Sequence, residues 1–197
     1  GYKIALDRLK SLLRSDFVEV YNPFLTYFHN LPEWDGVDYI EELAGFVTTT
    51  DQEFWVKQFK KAIVRNIACA CYGYNNRIII TLVGEQQEKG KSRFIEFLCP
   101  PELANYYTEA NLDQSKDSEI QLAENFIWNL EELAGLESWE VNKLKSIISR
   151  SSIKTRRSYA EYAEKYPRRA NFWASTNKVD FLGDDQNTRW LCFEVVD

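Results

Sequence analysis

Apolar and polar positions along the first 75 residues follow a helical period. In residues 3–14, Ile4, Leu6, Leu9, Leu12 and Leu13 share one stripe, which predicts an amphipathic helix. Asn22-Pro23 ahead of Phe24-Leu25-Thr26-Tyr27-Phe28 has the form of a helix start, with proline at the first helical position. Leu31-Pro32-Glu33-Trp34-Asp35-Gly36 predicts a turn, and residues 37–47 a further helix. Between Asp51 and Cys71, Phe54, Trp55, Phe59, Ile63, Ile67 and Cys71 recur at helical spacing with Lys57, Lys60 and Lys61 between them, so a long amphipathic helix is expected. Residues 1–75 therefore read as a helical N-terminal cap.

The period changes at Ile78. Ile78-Ile79-Ile80-Thr81-Leu82-Val83 is a β-branched run too short for a helix and predicts a buried strand. Helical character resumes over 92–98 and stops at Pro100-Pro101, with a further helix near 138–149. Phe126–Leu130, Asn171–Ser175 and Trp190–Val196 are the other strand candidates. Strands alternating with helices predict an α/β sandwich on a mainly parallel sheet over residues 76–197.

Composition narrows the class without naming it. The 197 residues are 45% hydrophobic and 27% charged, an ordinary globular balance that excludes wholesale disorder and disulfide-dense miniproteins. No apolar run approaches the roughly 18 residues of a membrane span, and a soluble cytoplasmic protein with no membrane partner is expected. The chain has no Met and reads as a piece of a longer protein. Cys69, Cys71, Cys99 and Cys192 lie in apolar stretches without histidines nearby and read as buried free thiols rather than a zinc site. The single His29, with no nucleophile partner, reads as structural.

Charge is polarised. The formal net charge is −6. Residues 109–140 hold nine carboxylates against Lys116, whereas residues 143–169 hold nine cations against Glu161 and Glu164. An acidic protein of this kind can still present a basic stripe to phosphate.

The sharpest motif is Gly84-Glu85-Gln86-Gln87-Glu88-Lys89-Gly90-Lys91-Ser92, between a strand and a helix. Glycines allow backbone N–H groups to turn toward phosphate oxygens. Lys91 would reach the outer phosphates of a nucleotide, and the Ser92 hydroxyl would ligate Mg2+. Five residues separate the two glycines, one more than in the usual Walker A loop. Downstream, the apolar Phe126-Ile127-Trp128-Asn129-Leu130 runs into Glu131 and Glu132, a Walker B pattern. There one carboxylate (Glu131) would hold the metal and the next (Glu132) would polarise the attacking water. Glu131 occupies the place where aspartate is usual. Asn171-Phe172-Trp173-Ala174-Ser175-Thr176-Asn177 ends in an amide suited to orient that water, or simply in a turn asparagine. Arg189, before the last strand, could stabilise transition-state charge within the subunit or in a neighbour, or merely pair with Asp184 or Asp185.

These motifs, with Leu31-Pro32-Glu33-Trp34-Asp35-Gly36, Asn125–Leu133, Pro167-Arg168-Arg169 and Phe181-Leu182-Gly183-Asp184…Asn187-Thr188-Arg189-Trp190 in this order, resemble the virulence-associated protein E family over about residues 22–196. Members are similar to the ATPase domains of superfamily 3 helicases and phage primase-helicases. The resemblance implies an AAA+-like P-loop NTPase, a three-layer sandwich, here ending before any C-terminal lid. It implies a magnesium-dependent ATPase of a prophage or mobile-element replication protein. Its partners would be single-stranded DNA, a primase-like domain or protein, and further copies in a ring. It assigns Gly84, Gly90, Lys91 and Ser92 to nucleotide, Glu131 and Glu132 to Walker B, Asn177 to the sensor position and Arg189 to a finger-like role. Thr188-Arg189 stands where many relatives carry two arginines.

The interval between Walker B and the sensor strand is where such helicases grip DNA. Here it holds Lys154, Arg156, Arg157, Tyr159, Arg168 and Arg169, cations for the backbone and a tyrosine face for stacking, or else a solvated surface or a basic face that meets the acidic face of a neighbouring subunit. Two other readings stay open: a catalytically weak P-loop scaffold, favoured by the long loop, and a small-molecule kinase, disfavoured by the basic tyrosine-rich interval.

Overall fold

A computed structural model describes residues 5–13, 15, 17, 21–84, 90–111, 115–130, 133, 138–156, 162–177 and 188–196. Helices α1 (Leu6–Leu13), α2 (Pro23–His29), α3 (Tyr39–Ala44) and α4 (Gln52–Tyr72) precede β1 (Ile79–Val83) and α5 (Lys91–Phe97). A 3₁₀ turn over Pro101–Tyr106 leads into β2 (Tyr107–Glu109), α6 (Lys116–Glu124), β3 (Ile127–Leu130) and α7 (Ser138–Ser149). The hairpin strands β4 (Ser152–Thr155) and β5 (Glu164–Pro167) come before β6 (Asn171–Thr176) and β7 (Trp190–Glu194).

Local chemistry sets the helix starts. The Asn22 side chain accepts from the N–H groups of Phe24 and Leu25, with Pro23 at the first helical position. Asp51 caps α4 through the Phe54 N–H.

The main sheet has the order β2-β3-β6-β1-β7, and every neighbouring pair is parallel. Parallel strands need cover on both faces, and both faces are covered. Ile80, Leu82, Trp173 and Phe193 pack with Phe24, Ala44, Trp55, Phe59 and Ile95, from α2, α3, α4 and α5. On the opposite face Ile79, Trp128, Leu130, Phe172 and Ala174 meet Leu122 of α6, Leu144, Ile147 and Ile148 of α7 and Ile153 of β4. Alternation along β1 and β6 sends successive side chains into the two cores, which explains why both strands are mainly apolar.

The N-terminal helices thus supply one covering layer of the sheet. They also extend it: Thr49 bridges Val195 in antiparallel fashion, Val196 N–H donates to Thr48 O at 2.9 Å, and Thr50 N–H donates to Glu194 O at 3.1 Å. The periodicity anticipated the long helix, β1, β3, β6 and β7. It missed β2, α6 and the β4–β5 hairpin, whose short segments carry no clear apolar alternation. No described helix is long and apolar enough to cross a membrane.

Candidate nucleotide and nucleic-acid site

Because the five strands are parallel, their carboxyl ends lie along one edge. That edge receives Gly84 after β1, Leu130 at the end of β3 and Asn177 after β6. β6 sits between β1 and β3, so Asn177 stands between the strand that carries the glycine-rich loop and the one that precedes the paired carboxylates. Crevices of this kind, outside the carboxyl ends of parallel strands, are where α/β sheets bind ligands.

Lys91, the first residue of α5, reaches back across this edge. Its Nζ donates to Gly84 O at 2.7 Å and to Asn177 Oδ1 at 3.2 Å. Next to it on α5, Ser92 Oγ shares a hydrogen bond of 3.0 Å with Ser175 Oγ on β6. Two glycines make this geometry. Gly90 has φ +74°, which turns the backbone sharply into α5. A Cβ on Gly84 would come within 3.3 Å of Lys91 Nζ, so a side chain there would crowd the ammonium slightly. Four residues flagged by the sequence, Gly84, Gly90, Lys91 and Ser92, are therefore brought together with Asn177. Ser175 was not singled out from sequence; its position two residues before Asn177, on the same side of β6, is the signal that could have found it. Glu131 and Glu132 lie outside the described residues, as do residues 85–89 of the loop.

A cavity of about 360 Å³ opens beside Lys91. Gly90, Lys91 and Phe94 form one side, and Phe46, Val47 and Thr48, with Val195 and Val196, form the other. The segment at 46–48 is held rigidly. Gln52 Oε1 accepts from Thr49 N–H at 2.9 Å, and its Nε2 donates to Val47 O at 3.1 Å.

The amino-terminal edge differs. Arg168 is 1% exposed. Its Nε donates to Arg150 O at 2.8 Å, and one terminal nitrogen donates to Asn75 Oδ1 at 2.6 Å and Asn76 O at 2.5 Å. The other terminal nitrogen donates to Ala170 O. The guanidinium also lies 5.4 Å from the Phe172 ring centroid. Burial lowers its pKa, but a guanidinium stays charged under all ordinary conditions. The assignment of Arg168 to nucleic acid is therefore corrected: its donors are committed to buried oxygens, and no phosphate can reach it. Arg169 is half-buried and donates to Ala70 O at the end of α4, which makes it an anchor as well. A ring of asparagines completes the knot. Asn76 Nδ2 donates to Asn171 Oδ1 at 2.9 Å, and Asn171 Nδ2 donates to Asn66 O and Phe126 O, each at 3.1 Å.

Arg189 also lies at this amino edge. Its carbonyl accepts from Ile79 N–H, the first residue of β1, and its Nε donates to Ser149 Oγ at 3.2 Å. The length of β1 separates it from Gly84 and Lys91, so Arg189 does not serve the site of its own chain.

The basic interval is a hairpin. Lys154 lies directly opposite Lys165 across β4 and β5, both exposed, and Arg156 follows, also exposed. Like charges facing each other cost a hairpin stability; an anionic partner would relieve them. Arg157 and Tyr159 lie outside the described residues. His29 shares a 3.1 Å hydrogen bond with the Tyr72 hydroxyl and links α2 to the end of α4. Cys69, Cys71 and Cys99 are buried free thiols; burial raises each pKa, for Cys99 to about 11, and leaves them unreactive.

A family model described as the virulence-associated protein E-like domain matches residues 28–197. Among solved structures, the chain is similar to the apo C-terminal region of NrS-1, residues 305–718, in its A form. The TM-score is 0.58 at 15% identity, over 84% of this chain and 39% of that one. Another A-form structure of the same region gives 0.56 at 16% identity, over 83% of this chain and 39% of that one. The chain thus spans well under half the length of these structures, and at such identity the likeness establishes the fold. No curated protein matches.

Proposed function

The chain belongs to the virulence-associated protein E-like family, and we propose that this domain binds and hydrolyses ATP as the motor of a phage or mobile-element replication protein. The fold would then be that of a P-loop NTPase, with translocation on single-stranded DNA as the output. The observation that carries the reading is the position of Lys91. A cation at the start of α5 bridges the β1 carboxyl end and the amide of Asn177, at an edge where the topology also delivers the end of β3.

The residues present suit a triphosphate with Mg2+. The Lys91 ammonium donates to two neutral oxygens, Gly84 O and Asn177 Oδ1, and phosphate oxygens would offer it a stronger, charge-assisted partner. Ser92 supplies a hydroxyl of the kind that joins a magnesium shell. When bound, the metal ion neutralises charge on the β- and γ-phosphate oxygens. In this scheme Glu131 and Ser92 would hold the metal, Glu132 would polarise the attacking water and Asn177 would orient it. Arg189, remote from its own Lys91, would reach only the site of a neighbouring copy, which ties the finger-like role to ring assembly. Lys154, Arg156 and the rest of the hairpin would follow the DNA backbone.

The test is titration of ATP with Mg2+ and measurement of its hydrolysis, with and without single-stranded DNA. Lys91→Ala should weaken nucleotide binding about 100-fold, the worth of two lost charge-assisted hydrogen bonds. Its folding stability should change little. Unchanged affinity in Lys91→Ala would remove the phosphate-site reading and favour a scaffold.

A further inference from the structure

The amino edge of the sheet carries a second cavity, at the opposite end of β1 from Lys91. The five residues of β1, about 16 Å of strand, lie between the two. The cavity has a volume of about 260 Å³ and is formed where the end of α4 turns into the loop before β1. Arg65 and Ala68 of α4 line it together with Tyr74, Arg77 and the two loop asparagines, Asn75 and Asn76.

The loop is pinned in place by its own hydrogen bonds. Gly73, at φ +73°, ends α4, and Tyr74 N–H donates to Ala68 O at 3.3 Å. Asn75 Nδ2 donates to Ser149 O at 2.9 Å, and Asn76 Oδ1 accepts from Ile78 N–H at 3.3 Å. Asn75 Oδ1 and Asn76 O both accept from the buried Arg168 guanidinium. These loop oxygens are committed to the protein interior.

The cavity's cations are not matched in the same way. Arg65 Nη1 is wholly buried and has no hydrogen-bond partner, a costly position for a charged donor. Arg77 lines the same cavity, and no carboxylate among the described residues pairs with either arginine. Behind the asparagines, burial lowers the Arg168 pKa, and the nearby charge of Arg77 lowers it further. Three guanidinium groups thus share one corner of the fold, an arrangement that favours an anion between them. A carboxylate offers a single charge. A phosphate monoester carries about two charges at neutral pH and three terminal oxygens, enough to accept from Arg65 and Arg77 at once. The volume lies below the roughly 300 Å³ at which drug-sized sites begin, so it suits a phosphate group whose substituent projects outward. Tyr74, 70% exposed, presents its ring at that mouth.

We propose that this cavity binds the terminal phosphate of a phosphate monoester, with Arg65 and Arg77 as its donors and the ester substituent resting against Tyr74. The site is separate from the edge at Lys91 and does not depend on the role given to that residue.

The experiment is calorimetric titration of the Lys91→Ala chain, in which the other phosphate contact is removed. The ligands are inorganic phosphate, phenyl phosphate and oligodeoxynucleotides ending in a 5′-phosphate or a 5′-hydroxyl. Arg65→Met, Arg77→Ala and Tyr74→Ala are each added to that background, and the Tm of each is measured. Arg65→Met and Arg77→Ala should each weaken phenyl phosphate about tenfold, the worth of one charge-assisted hydrogen bond. Tyr74→Ala should weaken phenyl phosphate about fivefold and leave inorganic phosphate unmoved. Arg65→Met should melt at or above the parent temperature, because it keeps the apolar stem and removes a buried unpaired donor. Phosphate should raise the Tm of the parent but not of Arg65→Met. A dissociation constant for phenyl phosphate above about 10 mM would overturn the site. Undiminished affinity in both arginine variants would overturn it too, and a lowered Tm of Arg65→Met beside that result would make Arg65 a structural cation. The oligonucleotides identify the source of the phosphate. Displacement of phenyl phosphate by the 5′-phosphate strand alone supports the site and assigns it a strand end; displacement by neither supports it with a small monoester as ligand. Equal displacement by both strands would overturn the proposal, since the cavity would then accept backbone diesters.

Discussion

The two edges of the parallel sheet hold comparable cations in opposite circumstances. At the carboxyl edge Lys91 is half-buried, and its ammonium rests on the Gly84 carbonyl and the Asn177 amide. At the amino edge Arg168 is enclosed, with four oxygen acceptors and an aromatic ring around its guanidinium. Both acceptors of Lys91 are neutral, and neutral acceptors hold a cation less strongly than phosphate does. The Arg168 arrangement is closed. Withdrawing the guanidinium would strand several buried oxygens at once, each costing about 1–3 kcal/mol. Charge at a sheet edge therefore signals a ligand only where its partners can be replaced. The asparagine ring beside Arg168 belongs to the same rigid end, which ties α4, β3 and β6 together and gives the opposite edge a fixed base.

That contrast can be broken by stability measurements. Arg168→Ala should lose about 3–5 kcal/mol, with a fall of roughly 10 °C in Tm. Arg168→Lys should recover only part of this, since an ammonium cannot reproduce the planar fork. Calorimetry or denaturant titration checks both. A loss as large for Lys91→Ala as for Arg168→Ala would erase the distinction between a ligand-facing and a structural cation.

A smaller effect is expected at the hairpin, where the cations stand in solvent. Lys154→Ala combined with Arg156→Ala should weaken single-stranded DNA binding about tenfold and reduce the salt slope by about 1.4, two phosphate contacts at roughly 0.7 each. Folding stability should hold or rise slightly, because Lys154 no longer faces Lys165. Binding isotherms at several salt concentrations measure the slope, and an unchanged slope would place any DNA contact elsewhere. The smallest shift concerns Ser175. Ser175→Ala removes the partner that holds the Ser92 hydroxyl, and should raise the Mg2+ concentration needed for half-maximal nucleotide binding about threefold. Nucleotide affinity without Mg2+ should stay the same; a loss there would make Ser175 a fold residue only.

Much of this was legible along the chain. Mainly apolar runs at 78–83, 126–130 and 171–175 announced strands buried on both faces. Glycine followed by lysine and serine, at a strand-to-helix junction, identified the residues that meet at the carboxyl edge. The short strand β2, the helix α6 and the hairpin were not legible, because their segments are three to nine residues long with mixed polarity. Arg168 misled for a different reason. In sequence it continues a basic run, and only the fold brings Asn75 and Asn76 around to enclose it, from more than ninety positions away.

The sequence by itself determined the longer local units: the helix start at Asn22-Pro23, the long helix between Asp51 and Cys71, the strands with strong apolar runs, and the glycine-lysine-serine junction after the first strand. Those depend on neighbours a few residues apart, and pattern records them directly. The tertiary structure alone decided which cations face solvent and which are sealed, and that Asn177 and Ser175 meet Lys91 and Ser92. It also decided that the 46–48 segment walls the cavity beside them. Each of these depends on strand order and burial. Those are set by the packing of two cores against one parallel sheet, over separations that no local period encodes.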